Sequence, residues 1–222
     1  MQRKTQTLSS RIRQHPARVR NVLLSTAGIL VFAGFIHHPF PLLLPAIAGL
    51  AVTAVLIGFS TRHATFQEAF GLGQINRRIL LYTFPALFLG AALGILTRMR
   101  FELTMVPAGF KGIVLVAPLI GAVEEFIFRG YIQGHLRPVG KIFSIVTASS
   151  IHTCYKLLVI LTLAVPLQFD FFFLIIWTFI GGLLFGVLRE LSGSTVPPIL
   201  AHAIFDIVLY GGLATAPVWV WS

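Results

Sequence analysis

Seven stretches of this 222-residue chain are apolar for long enough to cross a lipid bilayer, and that decides most of what it can fold into. They run over about residues 21–37, 40–60, 79–97, 112–133, 142–164, 168–188 and 195–214. Inside lipid, every backbone N–H and C=O must find its partner within the same segment, so each stretch is predicted helical. Charged residues are only 11% of the chain, against about 25% in soluble domains. A water-soluble globule of this size cannot bury so much apolar surface, which excludes a soluble enzyme and a disordered chain. The single cysteine, Cys154, excludes an internal disulfide. The predicted fold is an all-α, polytopic membrane helix bundle of about seven transmembrane helices. An eighth span or re-entrant piece between Arg98 and Lys111 is the alternative. Residues 1–20 form a basic N-terminal segment, and 21–222 a single transmembrane domain. Pro45, Pro85 and Pro118 fall inside spans and are predicted to kink them.

The basic residues orient the bundle. With the N-terminus in the cytosol, Arg3, Lys4, Arg11, Arg13, Arg18, Arg20, Arg62, Arg77, Arg78, Arg129, Arg137, Lys141 and Arg189 fall on the cytosolic side. Only Arg98, Arg100 and Lys111 fall on the other, a clear positive-inside bias. The net charge of +10 is thereby a matter of orientation in a cell membrane, with the lipid bilayer as partner and no nucleic acid. The C-terminus then lies outside, with Trp219 and Trp221 as interfacial anchors.

Against this background a few polar residues stand out. Of seven acids, Glu124, Glu125 and Asp206 lie inside spans, as do His152 and His202. A charge in a span is costly, and by default it marks a functional site. Their depths agree. At 1.5 Å per residue, Glu125, His152 and His202 lie about 13, 16 and 12 Å from the cytosolic ends of their helices. Glu125 and Arg129 are four apart and share a face, as do His202 and Asp206. Arg129 is expected to pair with Glu125, or position a substrate carbonyl, while snorkelling toward the cytosol. A pair at i and i+4 on a buried face can share one metal ion or one water. Glu124 lies about 100° around the helix from Glu125, so the two carboxylates are given different jobs. The blander readings are a Glu125–Arg129 ion pair and hydrogen-bonded core histidines; convergence at one depth weighs against both. Lys156 is expected to snorkel outward or pair with Asp170, and Cys154 to be a small buried apolar residue.

At these residues the chain resembles a known family. EEFIFRGYIQGHL (124–136) is similar to the first motif of the CPBP family, two glutamates followed after three residues by arginine. That family, also called Abi, groups type II CAAX prenyl endopeptidases with bacteriocin-processing and self-immunity proteins. SGSTVPPILAHAIFD (192–206) resembles its last motif, and SSIHTC (149–154) supplies the middle histidine. The family's phenylalanine four residues before that histidine is Ala148 here. The resemblance covers about residues 110–212, the catalytic part of the transmembrane domain.

The resemblance implies an intramembrane endopeptidase, a hydrolase with Glu124, Glu125, Arg129, His152, His202 and Asp206 as its catalytic set. In one version Glu124 is general base for a water held with His152. His202, oriented by Asp206, stabilises the oxyanion, and Glu125 with Arg129 fixes the helix and the peptide. In the other, Glu125, His152 and His202 ligate a metal, zinc by composition, with Asp206 orienting and Glu124 as base. The residues alone leave both versions open, so the cofactor is zinc or none. The expected partner is a membrane-anchored protein or peptide that enters from the cytosolic leaflet. The alternatives are a proton- or cation-coupled transporter using the same residues, and a non-catalytic immunity or binding member of the family.

Overall fold

A computed structural model describes residues 7–63, 70–71, 76–110, 112–163 and 170–213, with side chains from 60 to 63 excluded. Trp219, Trp221, Arg3, Lys4, Glu68, Lys111 and the side chain of Arg62 lie outside the described residues. Within them the chain is helical, with no strand. A short helix α1 (Leu8–Gln14) starts at Thr7, whose hydroxyl accepts the Ser10 N–H at 3.3 Å. It leads into α2 (Pro16–Phe35), which carries proline in its first turn, and α3 (Leu44–His63) follows. α4 (Arg77–Arg100) begins at Asn76, whose side-chain Oδ1 accepts the Ile79 N–H at 3.0 Å. Next come a 3₁₀ turn (Gly112–Leu115), α5 (Ala117–Glu125), a π-helical turn (Phe126–Ile132) and α6 (Gln133–Leu136). Helical dihedrals at Phe126 and Gln133 make α5, the π turn and α6 one continuous helix. α7 (Lys141–Leu161), α8 (Phe171–Ser192) and α9 (Val196–Tyr210) complete the bundle.

By length and composition α2, α4, α7 and α8 can each cross a membrane; α9 and the Leu44–Phe59 part of α3 are shorter apolar helices. Two of the three prolines do not kink helices. Pro45 and Pro118 sit in the first turns of α3 and α5, where a missing N–H leaves no bond unmade. Pro85 alone lies within a helix, α4.

Small residues set the close contacts. Gly94 on α4 meets α9, where an added Cβ would stand 2.8 Å from Val208 Cβ. Gly186 on α8 meets α7, where it would stand 2.8 Å from Ile145 Cγ2. Arg98, in the last turn of α4, is 3% exposed. It donates to the carbonyls of Leu209 and Gly211, both at 2.8 Å, and so closes the end of α9 that a helix cannot bond itself. Asp170 pairs with Arg100 at 2.8 Å and not with Lys156. The Phe173 N–H, then Arg100, hold its carboxyl below the ordinary aspartate range. Cys154 is exposed on the outer surface of α7, not buried.

Candidate active site

Three helices bring the buried polar residues together. α5 ends at Glu124 and Glu125, α7 carries His152, and α9 carries His202 and Asp206. Glu124, Glu125, His152, His202 and Asp206 are each at most 6% exposed. His152 lies about 16 Å from one end of α7 and about 14 Å from the other, near the middle of that helix.

The contacts divide the two carboxylates as their 100° offset suggested. Glu124 Oε2 lies 3.3 Å from His152 Nε2 and 3.8 Å from His202 Nε2. Glu125 Oε1 accepts from His202 Nδ1 at 3.0 Å, and its Oε2 faces Arg129 Nε at 3.4 Å. Both terminal nitrogens of Arg129 lie 3.4 Å from His152 Nδ1. Guanidinium has no acceptor, so Nδ1 accepts and the imidazole proton resides on Nε2, donated to Glu124. His202 Nε2 is also 3.9 Å from Asp206 Oδ1. Distances of 3.8 and 3.9 Å exceed a direct hydrogen bond but fit a water bridging the three groups.

Arg129 does not snorkel. It is wholly buried, at 0% exposure, because the π turn over Phe126–Ile132 carries it inward against His152. A π turn is rare and often marks a functional site, and no pattern in the residues announced it. Phe128 in the same turn stacks on His152 with ring centroids 4.4 Å apart. Ala148, where the family has phenylalanine, is buried in the core cluster beside Phe128 and Tyr131. Gly121 gives His202 its room, since a Cβ there would stand 2.9 Å from His202 Cδ2 and 2.5 Å from Asp206 Oδ2. Gly121→Ala is expected to lower stability by about 1–3 kcal/mol through overpacking. It should also displace His202, with at least a tenfold loss of turnover; unchanged turnover in a melting and cleavage comparison would show that the contact does not set the imidazole.

Sequence reasoning missed Lys156. It neither snorkels nor meets Asp170: Nζ lies 2.7 Å from Glu124 Oε1, and its side chain is 13% exposed. The available signal was its position four residues after His152, on the same face of α7. His135 is buried in α6, its Nδ1 2.9 Å from the Tyr131 carbonyl.

The donor set does not fit a metal centre. Among the described residues no group of three or more His, Cys, Asp or Glu is arranged to hold a metal ion. Of the expected ligands, Glu125 is engaged by Arg129 and His202 Nδ1, while His152 points to the other carboxylate, Glu124. Of the three carboxylates in the cluster, two already face a cationic side chain, Glu124 with Lys156 and Glu125 with Arg129.

Two clefts lead away from the cluster. One, with an empty volume of about 810 Å³, runs between α4, α8 and α9 past Trp177 to Phe101 and Phe173. The other, about 1460 Å³, runs between α2, α3, α5 and α7 past Tyr155 to His37, with Glu124 on its wall. Both reach the end of the bundle where α4 and α9 finish. The opposite end is filled by Phe70, Phe128, Tyr131, Ile132 and Leu136, with Gln133 and Arg189 buried among the polar groups there.

Carboxylates and imidazoles from three apolar helices thus face one another in a buried pocket that two largely apolar clefts reach. Residues 107–208 match the family model described as Type II CAAX prenyl endopeptidase Rce1-like. That segment contains every residue of the cluster, and over it the chain is similar to this family of proteases. Neither curated proteins nor solved structures provide a match.

Proposed function

We propose that this protein is an intramembrane endopeptidase that hydrolyses a peptide bond of a membrane-associated protein or peptide with a water activated by Glu124. One observation carries the reading: Glu124 Oε2 faces the Nε2 atoms of two imidazoles, His152 at 3.3 Å and His202 at 3.8 Å. A water seated between Glu124 and His202 loses its proton to Glu124 as its oxygen attacks the scissile carbonyl. His202, doubly protonated and balanced by Glu125, donates from Nε2 to the oxyanion; Asp206 orients it. Glu124 then passes the proton to the leaving amine. Arg129 fixes His152 through Nδ1 and Glu125 through Nε, so it positions both halves of the site. This assignment uses no metal. The test is a comparison of the membrane proteins cut in cells that carry the wild-type chain or Glu124→Gln, taken up in the Discussion.

The seven apolar helices α2, α3, α4, the α5–α6 unit, α7, α8 and α9 are read as the membrane bundle, multi-pass in the cell membrane with the N-terminus cytosolic. This orientation bears on the route of the substrate. Arg11, Arg13, Arg18, Arg20, Arg77, Arg78, Arg137 and Lys141 lie toward the filled end of the bundle. If that end faces the cytosol, both clefts lead to the other leaflet, which favours entry there over the cytosolic leaflet. A cysteine at Phe101 in a Cys154→Ser background is then expected to react with a membrane-impermeant maleimide outside intact cells. Reaction only after the membrane is opened would return entry to the cytosolic side.

A proton or cation transporter is the second reading. Buried polar side chains continue along one helix from Glu125 through Arg129 to Gln133, which contacts Glu190 at 3.4 Å. Flux abolished by Glu124→Gln, with no protein cut by the wild type, would favour it.

A further inference from the structure

We infer that Lys156 is a positioning residue for Glu124: its ammonium holds Oε1, so that Oε2 is presented to His152 and His202. This rests on the protease reading and adds a residue to its machinery. The last torsion of a glutamate is broad and nearly two-fold, so a carboxylate anchored at one oxygen only turns freely. Glu124 has its Oε1 in an ion pair with Lys156 at 2.7 Å and its Oε2 toward the imidazoles. Both ends of the carboxylate are therefore engaged. Helix α7 supplies both partners, since His152 and Lys156 are four residues apart.

The chemistry of the side chain suits the task. Lysine is a compact point charge that occupies one oxygen, whereas the fork of an arginine spans two. Lys156 also has its charge near the face of Tyr155, 5.9 Å from the ring centroid, which steadies the ammonium. Its side chain lines the same cleft as His152, His202 and Asp206, so it stands beside the path of the substrate. The arrangement is repeated on the neighbouring carboxylate, where Arg129 faces Glu125 Oε2 and leaves Oε1 to His202. Each acid thus has one oxygen set by a cation and the other given to a histidine.

The test uses the full chain purified in detergent. The probe is a quenched fluorescent peptide built on the segment found cut in the cell comparison. Lys156→Met is expected to lower kcat about 100-fold with KM unchanged, because a small displacement of a reacting group costs about that much. Lys156→Arg is expected to recover only part of the lost kcat, because its fork reaches for both oxygens of Glu124. A folded Lys156→Met protein with wild-type kcat, or one in which KM rises and kcat holds, overturns the role. Melting temperatures supply an arm that does not depend on cleavage. Lys156→Met should lower the melting temperature clearly more in the wild-type background, where it strands the Glu124 charge, than in the Glu124→Gln background, where it removes only a hydrogen bond to a neutral amide. An equal drop in both backgrounds overturns the pairing itself. If the wild type cuts nothing, the protease reading falls and this role with it, while the melting comparison still reports on the pair.

Discussion

Glu124→Gln is expected to abolish peptide hydrolysis while the bundle stays folded. Glutamine keeps the size of the side chain and a carbonyl that can accept from Lys156, so the ion pair of 2.7 Å becomes a hydrogen bond and the ammonium keeps a partner. What is lost is the base. A positioned general base contributes about 10²–10⁴-fold, and no other carboxylate in the cluster stands between the two imidazoles. Glu125 cannot replace it, because its oxygens are taken by Arg129 and His202 Nδ1. The measurement is a comparison of membrane-protein fragments in cells carrying each form, with melting of the purified proteins alongside. Fragments that persist at the wild-type level with the folded variant would remove Glu124 from the chemistry. Lost fragments with collapsed melting would indicate a structural role instead.

The largest effect on stability is expected from Arg129→Met. Arg129 and Glu125 are both at 0% exposure, so removing the guanidinium leaves the Glu125 charge in an apolar interior with only His202 beside it. Breaking a buried pair in this way costs about 3–5 kcal/mol, whereas an exposed pair would cost under about 1 kcal/mol. His152 also loses the donors at Nδ1, so activity should fall together with stability. Combining Arg129→Met with Glu125→Gln is expected to recover much of the melting temperature and little of the activity. Arg129→Met with unchanged melting would show that the charge had water or another cation beside it. Arg129→Lys should rescue poorly, since a single ammonium cannot face Glu125 and His152 at once.

Much of the candidate site was legible in the residues because depth in a helix follows from position in the chain. Each residue adds 1.5 Å of rise, so Glu125, His152 and His202 could be set at one level before any helix was packed against another. The four-residue spacings of Glu125 with Arg129 and His202 with Asp206 likewise gave shared faces, and the structure has both pairs within 4 Å. Lys156 was misread for the opposite reason. Its place on the His152 face of α7 points it inward but supplies no anion, and only the approach of α5 to α7 brings Glu124 to it. Cys154 was misread because the face of α7 that meets lipid cannot be told from the face that meets the bundle by a single small side chain.

Apolar length, the need to pair every backbone group in lipid, and the rise of a helix are properties of the chain alone. They were enough for an all-helical membrane protein with acids and histidines meeting inside it. Contacts between helices depend on how each one is rotated and how closely small residues let it approach. The π turn that buries Arg129, the lysine on Glu124, the mismatch with a metal centre and the direction of the two clefts were decided only by the tertiary structure.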